Sequence, residues 1–108
     1  MAYFSDQMIE EVWNKGKTID GVDSSIWRQD FAGAWINRSC YGKTETKFGW
    51  EIDHLKPESQ GGSDDLSNLL PLQWENNRKK GDEYPEFKTA VTSDGNINVN
   101  IVRSWRVN

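Results

Sequence analysis

Near the N-terminus, Met8, Ile9, Val12 and Trp13 recur at the spacing of one helix face, which predicts a helix over residues 6–14. Ser5 and Asp6 are suited to cap it and Gly16 to stop it. A helical turn is expected over 25–29, with Ile26 and Trp27 facing inward, and a strand over 34–38 that turns near Gly42. Over 48–52 the period changes to two. Phe48, Trp50 and Ile52 fall on one face, Gly49 and Glu51 on the other, as in a half-buried strand. Residues 56–67 have no apolar periodicity and form a long loop, a length that in compact domains is usually functional or disordered. Residues 69–72 fit a brief strand. Residues 73–80 fit a helix that stops at Gly81, with cations in its last turns, where they complement the dipole. Beyond Pro85, residues 88–92 and 97–102 flank Ser93-Asp94-Gly95-Asn96. There Ile97, Val99 and Ile101 alternate with Asn98 and Asn100, the pattern of a hairpin around an Asp-Gly turn.

This order predicts a single α+β domain over 1–108. An N-terminal helical region (1–33) precedes a strand–loop–strand–helix centre (48–82), and an accessory β-hairpin (86–105) follows. At 108 residues, with 35% hydrophobic residues and a mean hydropathy of -0.83, the aliphatic core is lean. Six Trp, four Phe and three Tyr are the expected supplement, with Trp27, Trp35 and Trp50 in the core. Arg28 and Asp30 are placed to form an ion pair.

The single cysteine, Cys40, excludes an internal disulfide and a Cys-only zinc site, and it reads as a small buried hydrophobe in a reducing compartment. No apolar run approaches the roughly 18 residues of a bilayer span. The start, MAYFSDQMIEE, lacks the basic-then-apolar order of a signal peptide, so a cytoplasmic location without membrane contact is expected. The net charge of -4 argues against gripping nucleic acid through bulk electrostatics. Only the C-terminal third (73–108) has a positive sum, with five acids against six bases, so any phosphate-facing surface is expected there.

One stretch carries chemistry: FGWEIDHLKPESQGGSDDLSNLLPLQWENNRKKGD, from Phe48 to Asp82. Asp53 is a hard oxygen ligand suited to Mg²⁺. His54 is the only histidine, and imidazole is the side chain best suited to take a proton from water near neutral pH. Asn77 offers a neutral carbonyl oxygen to the same metal shell.

The segment resembles the HNH endonucleases, in the branch whose third motif residue is Asn. His54 is followed 14 positions later by Asn68 and nine further on by Asn77. The flanking residues agree: DH at 53–54, GG at 61–62, NL at 68–69 and NNRKKG at 76–81, over about a third of the chain. The resemblance implies a ββα-metal (His-Me finger) core that binds one divalent cation, Mg²⁺ or Mn²⁺. Asp53 and Asn77 would be the metal ligands and His54 the general base. Asn68 would tie down the loop and so orient His54. The implied activity is hydrolysis of DNA to 5′-phosphate and 3′-hydroxyl ends. Without Cys-x-x-Cys pairs, no structural zinc is expected. Consecutive helical residues point about 100° apart, so only one of Asn76 and Asn77 can face the site, and the family spacing favours Asn77.

Glu51 shares a strand face with Asp53. It is a candidate to support the metal ligands or add one, against the plain reading of a solvated strand position. Arg78, Lys79 and Lys80 are candidates for phosphate contact or transition-state support, against the plain reading of a cationic helix end. The partner implied is DNA, with a homodimer or a larger assembly as the setting. Two alternatives share the fold: a module that binds nucleic acid or protein without cutting, and a toxin-type effector nuclease.

Overall fold

The structure is a computed structural model that describes residues 3–108; Met1 and Ala2, at the start of the expected helical region, lie outside the described residues. Helix α1 (Asp6–Trp13) forms where the periodicity places it. Ser5 caps it by accepting from the Met8 N–H at 3.1 Å, and the helix buries Ile9, Val12 and Trp13. These join Ile36, Trp50, Ile52 and Leu69 in the main core, where Trp13 and Trp50 meet with centroids 5.3 Å apart. Aromatic area thus does much of the packing that a short aliphatic inventory leaves undone.

The rest of the N-terminal region departs from expectation. Residues 27–29 are not a helical turn but strand β1 (Trp27–Gln29), antiparallel to β2 (Trp35–Asn37). The Asp23 carboxylate accepts from the Ser25 N–H at 2.9 Å and starts a turn there. Beyond it, pairing with β2 overrides local preference. Ile26 stays 46% exposed instead of facing inward. Trp35 and Trp50 are buried, and Trp27 is half-buried with its ring edge-on to Trp35 and Phe48. The expected Arg28–Asp30 pair does not form. Arg28 donates to the carbonyls of Asn14, Gly16 and Ser24, while Asp30 turns into the core.

The centre of the chain runs strand, loop, strand, helix. β3 (Trp50–His54) lies two residues later than expected and pairs antiparallel with β4 (Leu69–Gln73), His54 opposite Leu69 at the loop end. Helix α2 (Trp74–Lys80) follows β4 without a linker, because the Gln73 side chain caps it by accepting from the Asn76 N–H at 3.1 Å. β5 (Glu86–Asp94) and β6 (Ile97–Arg106) form a hairpin longer than expected, turning at Gly95, whose φ of 63° favours glycine.

This hairpin is not an appendage. The buried side of β5, with Phe87, Thr89 and Val91, packs against α2. At the register shift between Thr89 and Val91, the Ala90 and Val91 N–H groups both donate to Asn76 Oδ1, at 2.8 and 2.7 Å. The helix of the centre and the C-terminal hairpin are therefore joined through one buried amide.

Candidate active site

Strand alternation sets the geometry. Glu51 and Asp53 share the face of β3 that looks toward α2, while Trp50 and Ile52 point into the core. On α2, Asn77 and Lys80 are three residues apart and so lie one above the other on a single face. Each meets one acid. Asn77 Nδ2 donates to Glu51 Oε1 at 3.1 Å, and Lys80 Nζ lies 3.3 Å from Asp53 Oδ1 while donating to the His54 carbonyl at 3.1 Å.

Asp53 is only 5% exposed, and burial pushes its carboxyl up to about 6, with the Lys80 ammonium pulling the other way. Its Oδ2 is buried and has no hydrogen-bond partner among the described residues. Asp53 nevertheless lines a cleft of ≈ 360 Å³ together with His54, Glu58, Asn77 and Arg78. A buried carboxylate oxygen without a donor is expensive, and a hard cation in the cleft is the kind of partner that would satisfy it.

His54, at the end of β3, has a side chain 12% exposed that rests against the ring of Phe4. Its Nε2 lies 2.6 Å from Asp64 Oδ1 and its Nδ1 lies 3.9 Å from Glu58 Oε1. Ligand atoms of His54, Glu58 and Asp64 all fall within 4.8 Å of one another. Sequence reasoning missed both acids. They sit in a loop without periodicity, and only the acid content of that loop hinted at them.

Asn68 closes the same loop from below and does not reach the cleft. It ends the 3-10 turn Leu66–Asn68. Its Oδ1 accepts from the Lys56 N–H at 2.9 Å, and its Nδ2 donates to the carbonyls of Lys56 and Ser63 at 3.1 and 2.8 Å. Gly62 passes so near Lys56 that a Cβ there would lie 1.7 Å from the Lys56 carbonyl oxygen. The Gly-rich character of the loop thus answers to a close crossing of two backbone segments.

The remaining candidates separate clearly. Asn76 is fully buried and committed to Asp30, Ala90 and Val91, whereas Asn77 lines the cleft. Arg78 is exposed at the cleft rim, 3.8 Å from Glu51 Oε2. Lys80 corrects the expectation of phosphate contact: its side chain is wholly buried behind Asp53 and cannot reach a substrate in the cleft. Fewer cations of the C-terminal third are thus free to meet phosphate, since Arg106 is also engaged with Glu86.

Residues 39–83 match the family model of the HNH endonucleases, so the resemblance read from 48–82 stands and reaches back to Ser39. The segment is similar to a class of nuclease and nucleic-acid-binding modules in which the nucleases use divalent metals. No curated protein and no solved structure matches the chain. Among the described residues, no helix is long and apolar enough to cross a membrane.

Proposed function

We propose that the chain is a metal-dependent endonuclease that hydrolyses DNA phosphodiester bonds to 5′-phosphate and 3′-hydroxyl ends. The observation that carries this reading is the unpartnered, buried Asp53 Oδ2, on a residue that lines one cleft with Asn77 and His54. Asp53 and Asn77 would hold one divalent cation, Mg²⁺ or Mn²⁺, which when bound neutralises charge on the scissile phosphate and the leaving 3′ oxygen. His54 takes the proton from the attacking water. Asn68 keeps the loop closed around His54, Glu51 steadies the Asn77 amide and Lys80 steadies the Asp53 carboxylate. Arg78, at the rim, is the cation placed to meet phosphate. The substrate is DNA in the cytoplasm, and a homodimer would let one small site cut both strands.

One observation favours a second reading. A cation on His54, Glu58 and Asp64, whose ligand atoms cluster within 4.8 Å, would occupy the imidazole and leave no base. The domain would then bind nucleic acid without cutting it.

Supercoiled plasmid tests the choice. Nicking with Mg²⁺ or Mn²⁺ that stops in EDTA and in His54→Ala supports the nuclease. Absence of nicking with either metal, or nicking that survives His54→Ala, sinks it. Metal-induced thermal stabilisation lost in Asp53→Ala but kept in Asp64→Ala supports the first site, and the reverse pattern supports the second.

A further inference from the structure

The loop between β3 and β4 does more than enclose His54. Asn68 donates to the Ser63 carbonyl at 2.8 Å, and its own N–H donates to the Asp65 carbonyl at 2.8 Å. The Asp65 N–H in turn meets Ser63 Oγ at 3.3 Å. Both neighbours of Asp64 are therefore fixed, and both are fixed through Asn68 or the turn it ends. Asp64 itself is two-thirds exposed, and among the described residues no other side-chain partner competes for its Oδ1, which lies 2.6 Å from His54 Nε2.

A carboxylate oxygen can only accept, so this contact needs the proton on Nε2. The neutral ring then has its lone pair on Nδ1. Nδ1 is the nitrogen beside Glu58, a residue that lines the cleft; Asp64 is absent from the cleft lining. The ring thus presents an acceptor to the cleft and turns its donor to the loop. A base needs that arrangement, because a ring carrying its proton on Nδ1 could not take another from a water in the cleft.

We infer that Asp64 is a positioning residue for His54: it fixes the Nε2–H tautomer and the ring plane, and Asn68 acts on His54 by holding the segment that carries Asp64. This inference rests on the nuclease reading for its catalytic consequence, though the contact itself does not. It also gives Asn68 a route of action, since the hydrogen bonds of its side chain go to Lys56 and Ser63 and not to the His54 ring.

The test combines plasmid nicking with long-range ¹H–¹⁵N spectra, in which the single histidine of the chain is the only imidazole. Wild type should have a protonated Nε2 with a solvent-protected N–H and an unprotonated Nδ1. Asp64→Ala should lose the protected proton and fall about 10- to 100-fold in kcat, with KM and divalent-metal affinity unchanged. Asp64→Glu, which keeps the carboxylate, should recover part of both the rate and the protected proton. A wild type that nicks, beside an Asp64→Ala that nicks equally fast or keeps the protected proton, overturns the inference and leaves the nuclease standing. Equal losses in Asp64→Ala and Asp64→Glu also overturn it. A folded wild type with the protected proton but no nicking overturns the nuclease reading, and the catalytic role of Asp64 with it. Because Asp64 is largely exposed, its truncation should leave the thermal unfolding midpoint near that of wild type, and a large drop would mark the residue as structural instead.

Discussion

Lys80 and Asp53 form an ion pair almost without water: Nζ lies 3.3 Å from Oδ1, the lysine is wholly buried and the acid is 5% exposed. The ammonium also donates to the carbonyl of His54, so one cation ties the helix to the last two residues of β3. A pair of this kind contributes little net stability, yet breaking it leaves a buried charge alone. Lys80→Met should therefore lower the unfolding free energy near neutral pH by about 3–5 kcal/mol. The loss should shrink as pH falls, because protonation of Asp53, already pushed up to about 6, removes the orphaned charge. Urea melts at neutral and mildly acidic pH read both effects. A loss that grows on acidification would contradict the assignment.

Asn76 and Asn77 are adjacent in sequence and opposite in duty. Asn76 uses both ends of its amide inside the protein, accepting from two β5 N–H groups and donating to Asp30 and the Val91 carbonyl. Removing it leaves several buried groups without partners, each worth about 1–3 kcal/mol. Asn76→Ala should consequently melt well below wild type, whereas Asn77→Ala should melt close to it while losing divalent-metal affinity. Thermal unfolding with and without Mn²⁺ separates the two. Similar melting points for both variants would undo the distinction.

The loop crossing at Gly62 makes a steric prediction. A Cβ at that position would lie 1.7 Å from the Lys56 carbonyl oxygen and 3.0 Å from Asn68 Nδ2, so the two strands of the loop would have to part. Gly62→Ala is expected to cost about 1–3 kcal/mol, as overpacking does, and to reduce nicking by more than the stability loss explains, through His54. Hydrogen exchange at the Lys56 amide, which donates to Asn68, should accelerate in the variant. Unchanged exchange there would show that the loop absorbs the methyl group elsewhere.

The parts legible in the sequence are those where one local pattern suffices. The α1 face, the alternation across Trp50 and Ile52 and the Gly-bounded α2 all follow from spacing, and the polar set at 53, 54, 68 and 77 drew attention for the same reason. What stayed hidden depends on contacts far apart in the chain. Three-residue β1 has no period to detect and exists because β2 pairs with it. Lys80 reads as the cationic end of an exposed helix, and its burial follows from the packing of β5 against α2 and of Phe87 near its ammonium. Asp64 reads as one more acid in a polar loop, and its contact with His54 follows from how Asn68 folds that loop. Asn76 is told from Asn77 only by the hairpin that closes over it.

Asp30 gives the last prediction, on pH. It is 1% exposed and accepts from the N–H groups of Ala34 and Gln73 and from Asn76 Nδ2 at 2.8–3.0 Å. Burial nevertheless raises its carboxyl to about 6, outweighing those hydrogen bonds. A group whose folded value is raised binds its proton more tightly in the native chain than in the unfolded one. Its stabilising contribution is therefore full below about pH 4, the ordinary carboxylate range, and is lost as pH rises through about 6. Asp30→Asn removes the titration and leaves every other group, Asp53 included, common to both proteins. The unfolding free energy of wild type relative to this variant should rise as pH drops from 7 to 4, on the order of 1 kcal/mol per pH unit within the window. A constant offset between the two proteins is of no consequence, since the slope carries the sign. Were the three donors to dominate instead, the folded carboxylate would be favoured, and the wild-type advantage would fall on acidification.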